Sequence, residues 1–164
     1  MIGPAQPRHL DAIAADLPAI VAAMRAAGND QWGPVYPTVE HFAADLAAGQ
    51  LFVDVEADAV RGFGVFNEVE PPQYDPLPWT VPRPALVIHR LAVCPAFRRQ
   101  GIADGLFAYA EDMARGRGLG QRSDTSAHNA AMNALFAKRG WRFVGALEFP
   151  GREIGFRAWE KPLG

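Results

Sequence analysis

Apolar positions recur at helical spacing over residues 9–27, where Leu10, Ile13, Leu17, Ile20, Val21 and Met24 fall on one face of an alanine-rich stretch. Gly28-Asn29-Asp30 ends this predicted helix. After the aromatic loop 31–37 a second helix is expected, with Thr38 as N-cap, Glu40 in its first turn and Gly49 as its stop. The pattern then changes period. Residues 51–56 and 61–69, rich in valine and phenylalanine on either side of the acidic turn Glu56-Ala57-Asp58, predict two strands joined as a hairpin. From Glu70 through Pro84 the chain carries six prolines with Tyr74 and Trp79, a composition that continues neither helix nor sheet and predicts a rigid, ordered loop.

The most continuous apolar run, Ala-Leu-Val-Ile-His-Arg-Leu-Ala-Val over residues 85–93, predicts a central strand buried on both faces and stopped by Pro95. Arg98-Arg99-Gln100-Gly101 follows, then a helix to about Ala114 that buries Leu106, Phe107, Ala110 and Met113, with Gly116 and Gly118 behind it. A strand near 119–125 precedes a helix from about Asn129 to Arg139, whose Lys138-Arg139-Gly140 end combines a cationic last turn with a glycine stop. Strands near 141–147 and 154–160 complete a mixed α/β fold. With 164 residues and no repeat or low-complexity linker, one domain spanning 1–164 is expected.

Composition narrows the function classes. Sixteen basic against eighteen acidic residues give a net charge of −2, which supplies no field for non-specific nucleic-acid binding. Cys94 is the single cysteine, so no intramolecular disulfide or multi-cysteine zinc site is expected, and His9, His41 and His128 lack metal-ligand spacing. No metal is predicted. The start MIGPAQPRHLDAI lacks the apolar core of a signal peptide and no run approaches the length of a membrane span, so a cytoplasmic protein without membrane attachment is expected.

The sharpest local feature is a buried strand, a short turn bearing Arg98-Arg99-Gln100-Gly101-Ile102-Ala103, and a helix that starts there. The first N–H groups of a helix lack internal partners and lie at the positive end of its dipole, so phosphate oxygens can accept from several at once. Gly101 allows close approach, Ala103 keeps the turn slim, and Arg98 and Arg99 offer charge. There is no G-x-G-x-x-G after a strand and no P-loop, which weighs against a dinucleotide oxidoreductase or an NTPase.

These residues resemble the GNAT N-acetyltransferases, whose coenzyme motif Q/R-x-x-G-x-G/A reads here Arg98-x-x-Gly101-x-Ala103. The resemblance extends to Leu91-Ala92-Val93-Cys94-Pro95 upstream and to Asn129-x-x-Met132-x-x-Leu135-Phe136 before Gly140-Trp141 downstream. A bacterial subgroup with HRLAV-like, DTH-like and QW…YP segments is similar at residues 89–93, at Asp124-Thr125-Ser126 and at Gln31-Trp32…Tyr36-Pro37. The resemblance implies a mostly antiparallel, twisted sheet splayed in the middle, flanked by about four helices. It also implies an acetyl-CoA-dependent N-acetyltransferase acting directly on a primary amine of a small molecule or peptide, and a homodimer. Backbone groups around Leu91, Ala92 and Val93 would meet the pantetheine arm. The amides from Arg99 through Gln100, Gly101 and Ile102 to Ala103 would hold the pyrophosphate, and Asn129 would touch the coenzyme arm unless it caps the helix.

Phe136 stands where many family members carry a tyrosine that acts as general acid. A thiol of pKa about 8.5 leaves as thiolate near neutral pH without much help, so this loss need not abolish transfer. An alkylammonium of pKa about 10.4 is deprotonated in roughly one molecule in 2,500 at pH 7, so a base or a water chain is expected. His89 is the candidate by type, against a core histidine. Asp124 could orient His89, pair with Arg90 or act as base itself, the ion pair being slightly favoured. Trp32, Tyr36, Tyr74 and Trp79 lie in loops that could wall an acceptor pocket or serve as lids or dimer contacts. Cys94 reads as a buried apolar residue rather than a nucleophile. The rival reading is a non-catalytic acyl-CoA-binding or regulatory module.

Overall fold

In the computed structural model, which describes residues 1–164, α1 (Pro7–Ala26) opens at an unusual cap. His9, three residues into the helix, accepts the Gln6 backbone N–H at Nδ1 (3.0 Å), where a capping box ordinarily carries Glu or Gln. Helix α2 (Val39–Ala47) repeats the device, with Thr38 N–H on His41 Nδ1 at 2.9 Å. Two of the four histidines are thereby explained as helix caps.

Seven strands follow the chain as β1 (Ile2–Pro4), β2 (Leu51–Glu56), β3 (Ala59–Asn67), β4 (Leu86–Val93), β5 (Gln121–Ser126), β6 (Arg142–Leu147) and β7 (Phe156–Lys161). Helix α3 (Ile102–Gly116) precedes β5, and α4 (Ala130–Lys138) precedes β6. The sheet order is β1-β2-β3-β4-β5-β7-β6. Pairing is antiparallel at β1-β2, β2-β3, β5-β7 and β6-β7, and parallel at β4-β5. This is the mixed α/β fold with a mostly antiparallel sheet and four helices that the pattern and the resemblance predict.

One difference has a local cause and two arise from pairing across the chain. Ala57 and Asp58 take φ of 47° and 66°, the doubly left-handed turn whose twist matches a hairpin. With only those two residues in the turn, Glu56 pairs with Ala59, and β3 begins two residues before the expected 61. The extended start becomes β1 because it pairs with β2, Ile2 against Asp54. The last strand inserts between β5 and β6 rather than following in order.

The chain divides into two units. The first, Met1–Phe66 with His89–Tyr109, packs Ile13, Ile20, Trp32, Phe42, Val53, Phe63 and Val65 into its core. Phe42 and Phe63 meet edge to face at 5.1 Å and Trp32 stacks on Phe63, pairs worth about 0.5–1.5 kcal/mol each beyond their buried area. The second, Asn67–Ile88 with Ala110–Gly164, gathers Tyr74, Val87, Leu147, Phe156 and Ala158. Strand β4 gives residues 86–88 to the second unit and 89–93 to the first.

The proline-rich loop is ordered, as its composition predicts, and the second unit holds it by buried charge. Glu160 accepts from the Thr80 and Val81 backbone N–H, both at 2.9 Å, and from the Thr80 hydroxyl at 2.6 Å. Arg122 donates to the Val81 carbonyl and, at 3.0 Å, to Glu70. A 3-10 turn, Pro72–Tyr74, then carries the Tyr74 ring into the core, fully buried.

Candidate active site

In the first unit the 3-10 turn Pro95–Phe97 leads into the exposed stretch Arg98-Arg99-Gln100-Gly101. Arg99 and Gly101 lie at φ of 61° and 77°, the left-handed excursions by which successive N–H groups turn into a concave nest for anions. The first helical bond of α3 runs from Gly105 N–H to the Gly101 carbonyl (2.9 Å), so the N–H groups of Ile102, Ala103 and Asp104 precede the helical ladder. A Cβ on Gly101 would meet nothing within 4 Å, leaving the approach open. Beneath the turn the fit is close. A Cβ on Gly62 of β3 would lie 2.8 Å from Ile102 Cγ2 and 3.0 Å from the Ala92 carbonyl oxygen, so only glycine lets the start of α3 seat on the sheet.

Strand β4 changes phase inside this unit. In a regular strand, residues an even number apart send their backbone groups to the same edge. Leu86 N–H goes to the Gly120 carbonyl on the β5 side, and the Ile88 carbonyl accepts from Ser123 Oγ at 2.7 Å. Yet Cys94 N–H goes to the Arg61 carbonyl of β3. One extra residue therefore lies between them. Arg90, at φ 45° in mid-strand, is that bulge. The β4-β5 ladder pairs Leu86, Val87 and Ile88 with Gln121, Arg122 and Ser123. Beyond the bulge, Leu91 and Val93 turn their N–H and C=O groups to the edge of β4 that faces away from β3.

Arg90 does not pair with Asp124, the arrangement slightly favoured from the sequence. Its guanidinium forks onto Asp45 of α2 (Nε to Oδ2 2.8 Å, Nη2 to Oδ1 2.6 Å) and donates to the Tyr36 hydroxyl at 3.1 Å. The left-handed backbone at residue 90 accompanies this turn of the side chain toward α2.

Asp124, in the second unit, instead accepts the Tyr74 hydroxyl at 2.6 Å. Burial raises its carboxyl from 3.8 to about 6, the hydrogen bond opposing the rise. Burial, then the Asp124 charge, push the Tyr74 hydroxyl well above its ordinary value, so it stays a donor. Trp79 completes the group: its indole N–H donates to the Tyr74 carbonyl (2.8 Å) and its ring lies 4.7 Å from the Arg122 guanidinium.

Other sequence candidates fall into place singly. Trp32, at 3% exposure, belongs to the core and cannot wall a pocket with an open ring face. Asn129 is spent as the α4 cap, accepting from Met132 N–H and donating to Thr125 Oγ1, both at 3.1 Å. Phe136 is buried, stacked on Trp159 and edge-on to Trp141. Cys94 is buried, and its thiol is pushed up to about 12 by desolvation and then by Asp16, the opposite of an activated nucleophile. His89 is half-buried on β4. No helix is long and apolar enough to cross a membrane.

Sequence comparison gives the family independently of this geometry: the model of the acetyltransferase (GNAT) family matches residues 18–141. The chain belongs to the GNAT acetyltransferase family. A candidate acetyltransferase from Staphylococcus aureus Mu50 is 32% identical over 100% of this chain and 99% of its own, with a TM-score of 0.78. A GNAT-family acetyltransferase from Streptococcus agalactiae 2603 shares the fold at TM-score 0.85, with 23% identity over 99% and 94% of the two chains. A candidate acetyltransferase from Salmonella typhimurium, solved with its cofactor acetyl-CoA, shares it at TM-score 0.68, with 19% identity over 100% and 94%. No curated protein sequence matches. As a GNAT acetyltransferase the protein is an enzyme that uses acetyl-CoA.

Sequence reasoning missed Asp45 as the partner of Arg90 and Tyr74 as the partner of Asp124. These pairs are 45 and 50 residues apart, and no periodicity or motif links them.

Proposed function

We propose that this GNAT enzyme transfers the acetyl group directly to the primary amine of a small molecule or peptide, with Asp124 as the general base. The free amides of the turn carry the coenzyme part of this reading. The N–H groups of Arg99, Gln100, Gly101, Ile102 and Ala103 hold the pyrophosphate, and Arg98 and Arg99 add charge. Leu91 and Val93, with Ala92 between them, offer backbone partners to the pantetheine arm, and the same N–H groups are the oxyanion donors. Acetyl-CoA, when bound, supplies an activated thioester acetyl. Phe136 has no hydroxyl to donate, and a departing thiol of pKa about 8.5 requires little protonation.

The acceptor's proton goes to Asp124. An ordinary aspartate lies about 6–7 pKa units below an alkylammonium, whereas a carboxyl at about 6 lies only about 4 below it while staying mostly ionised at neutral pH. Tyr74 holds Oδ2, which leaves Oδ1 to accept. His89 is the alternative base. Tyr36 and Trp79 are the loop aromatics proposed toward the acceptor.

The test is a thermal-shift titration with acetyl-CoA and CoA on wild type and Gly101→Glu, followed by an amine screen. Ligand at about 100 times its Kd adds about 2.7 kcal/mol, roughly 5–10 °C for a chain this size. Gly101→Glu places a carboxylate in the anion nest and a side chain at φ 77°, and it should abolish the shift. A full shift retained in the folded variant would remove the pyrophosphate from this turn.

A further inference from the structure

The mid-strand bulge in β4 has an odd occupant. A left-handed φ of 45° suits glycine, and a bulky residue pays about 1–2 kcal/mol to adopt it, yet the position is Arg90. The backbone there has no conformational preference for its own geometry, so something else must hold it. The guanidinium is pinned from two elements: Asp45 on α2 grips it by two bonds and Tyr36, from the loop before α2, adds a third. Asp45 is buried, and the Arg90 side chain keeps only 18% of its exposure. A forked, largely buried ion pair fixes both distance and direction.

We propose that Asp45 and Tyr36 are positioning residues: through the Arg90 guanidinium they hold the one-residue bulge that turns the Leu91 and Val93 amides to the open edge of β4, and so set the coenzyme's backbone partners. The inference rests on the coenzyme reading above. The Asp45–Arg90 pair has no part in holding coenzyme or acceptor, and its effect passes through the backbone of residue 90. A one-residue slip would send the Leu91 and Val93 amides to β3 and present those of Ala92 instead. Holding the slip at bay is what the clamp contributes.

The experiment compares two double variants that lack the clamp equally and differ only in what residue 90 tolerates: Asp45→Asn with Arg90→Gly, and Asp45→Asn with Arg90→Ala. Glycine adopts positive φ unaided and alanine does not. Calorimetric titration with CoA should place the glycine variant within about threefold of wild type and the alanine variant at least about tenfold weaker. In the unliganded proteins, the 15N-1H signals of Leu91 and Val93 should stay wild-type-like with glycine and shift with alanine. A merely structural ion pair would weaken both variants alike, and a direct ligand contact by Arg90 would do the same, so equal affinities and equal amide signals in the two variants overturn the proposal. If wild type binds no CoA, the coenzyme reading fails, and the amide signals still decide the clamp. Should the alanine variant not fold, Asp45→Asn alone takes its place, and wild-type affinity and amide signals in it overturn the proposal.

Discussion

Two aspartates, one in each unit, accept hydrogen bonds of the same 2.6 Å length in opposite electrostatic settings. Asp45 takes its bond from the Arg90 guanidinium, with a second at 2.8 Å, so its charge is neutralised where it stands. Asp124 takes its bond from the Tyr74 hydroxyl, a neutral donor, and burial raises its carboxyl to about 6. A carboxylate paired with a cation is an anchor whose removal strands a buried charge. One held by a neutral dipole keeps an unmet appetite for a proton, which is what a base near neutral pH requires. Distance alone would not separate them; the charge of the donor does.

The largest expected effect separates them by activity. Asp124→Asn keeps an oxygen for the Tyr74 hydroxyl and removes the proton acceptor, so kcat should fall about 10²–10⁴-fold while the CoA thermal shift is unchanged. Steady-state rates with an accepted amine check this, and near-wild-type turnover would move the base to His89. Its stability should not fall. The folded carboxyl sits above its unfolded value, so the native state binds the extra proton between about pH 4 and 6, and holding Asp124 ionised costs wild type stability as pH rises through about 6. Asp124→Asn escapes that cost and should melt no lower than wild type at pH 8. Asp45→Asn should behave the other way, losing about 3 kcal/mol by denaturant titration because Arg90 is left without its partner. A loss under about 1 kcal/mol would mean that Arg90 is not anchored as its geometry indicates.

The sequence makes one half of this contrast legible and hides the other. Long periodic segments such as α1 and the apolar run of β4 are readable because burial acts on residues close in the chain. The turn at Gly101 is readable for the same reason, its strand, glycine and helix start being contiguous. Strand β7 between β5 and β6 is not, since sheet order depends on pairings across the chain. The polar partners fail in the same way. Arg90 and Asp124, on neighbouring strands, look like a pair until a single residue with φ of 45° turns the arginine to α2. Nothing local to Arg90 announces that conformation, because the residue types that favour it are Gly, Asn and Asp. Tyr74, in a proline-rich loop, reads as a surface aromatic, and its burial goes with partners far along the chain: Asp124 on its hydroxyl, and Glu160 and Arg122 holding the loop around it.

The smallest effect is the most specific to the Asp124 half. Tyr74→Phe removes one hydroxyl from a fully buried ring and preserves its shape. The lost bond stabilised the ionised carboxylate, so Asp124 should titrate higher than about 6, by about one unit if the bond is of ordinary charge-assisted strength. The acid limb of kcat/KM should move up by the same amount, because the base must be deprotonated to act. Activity near pH 6 should therefore drop several-fold, and activity near pH 8.5 should barely change. A structural defect would instead lower the whole profile without moving its limb. An unmoved limb together with full activity would show that the titrating base is another group, and it would leave the Tyr74–Asp124 bond as packing in the second unit rather than part of the chemistry.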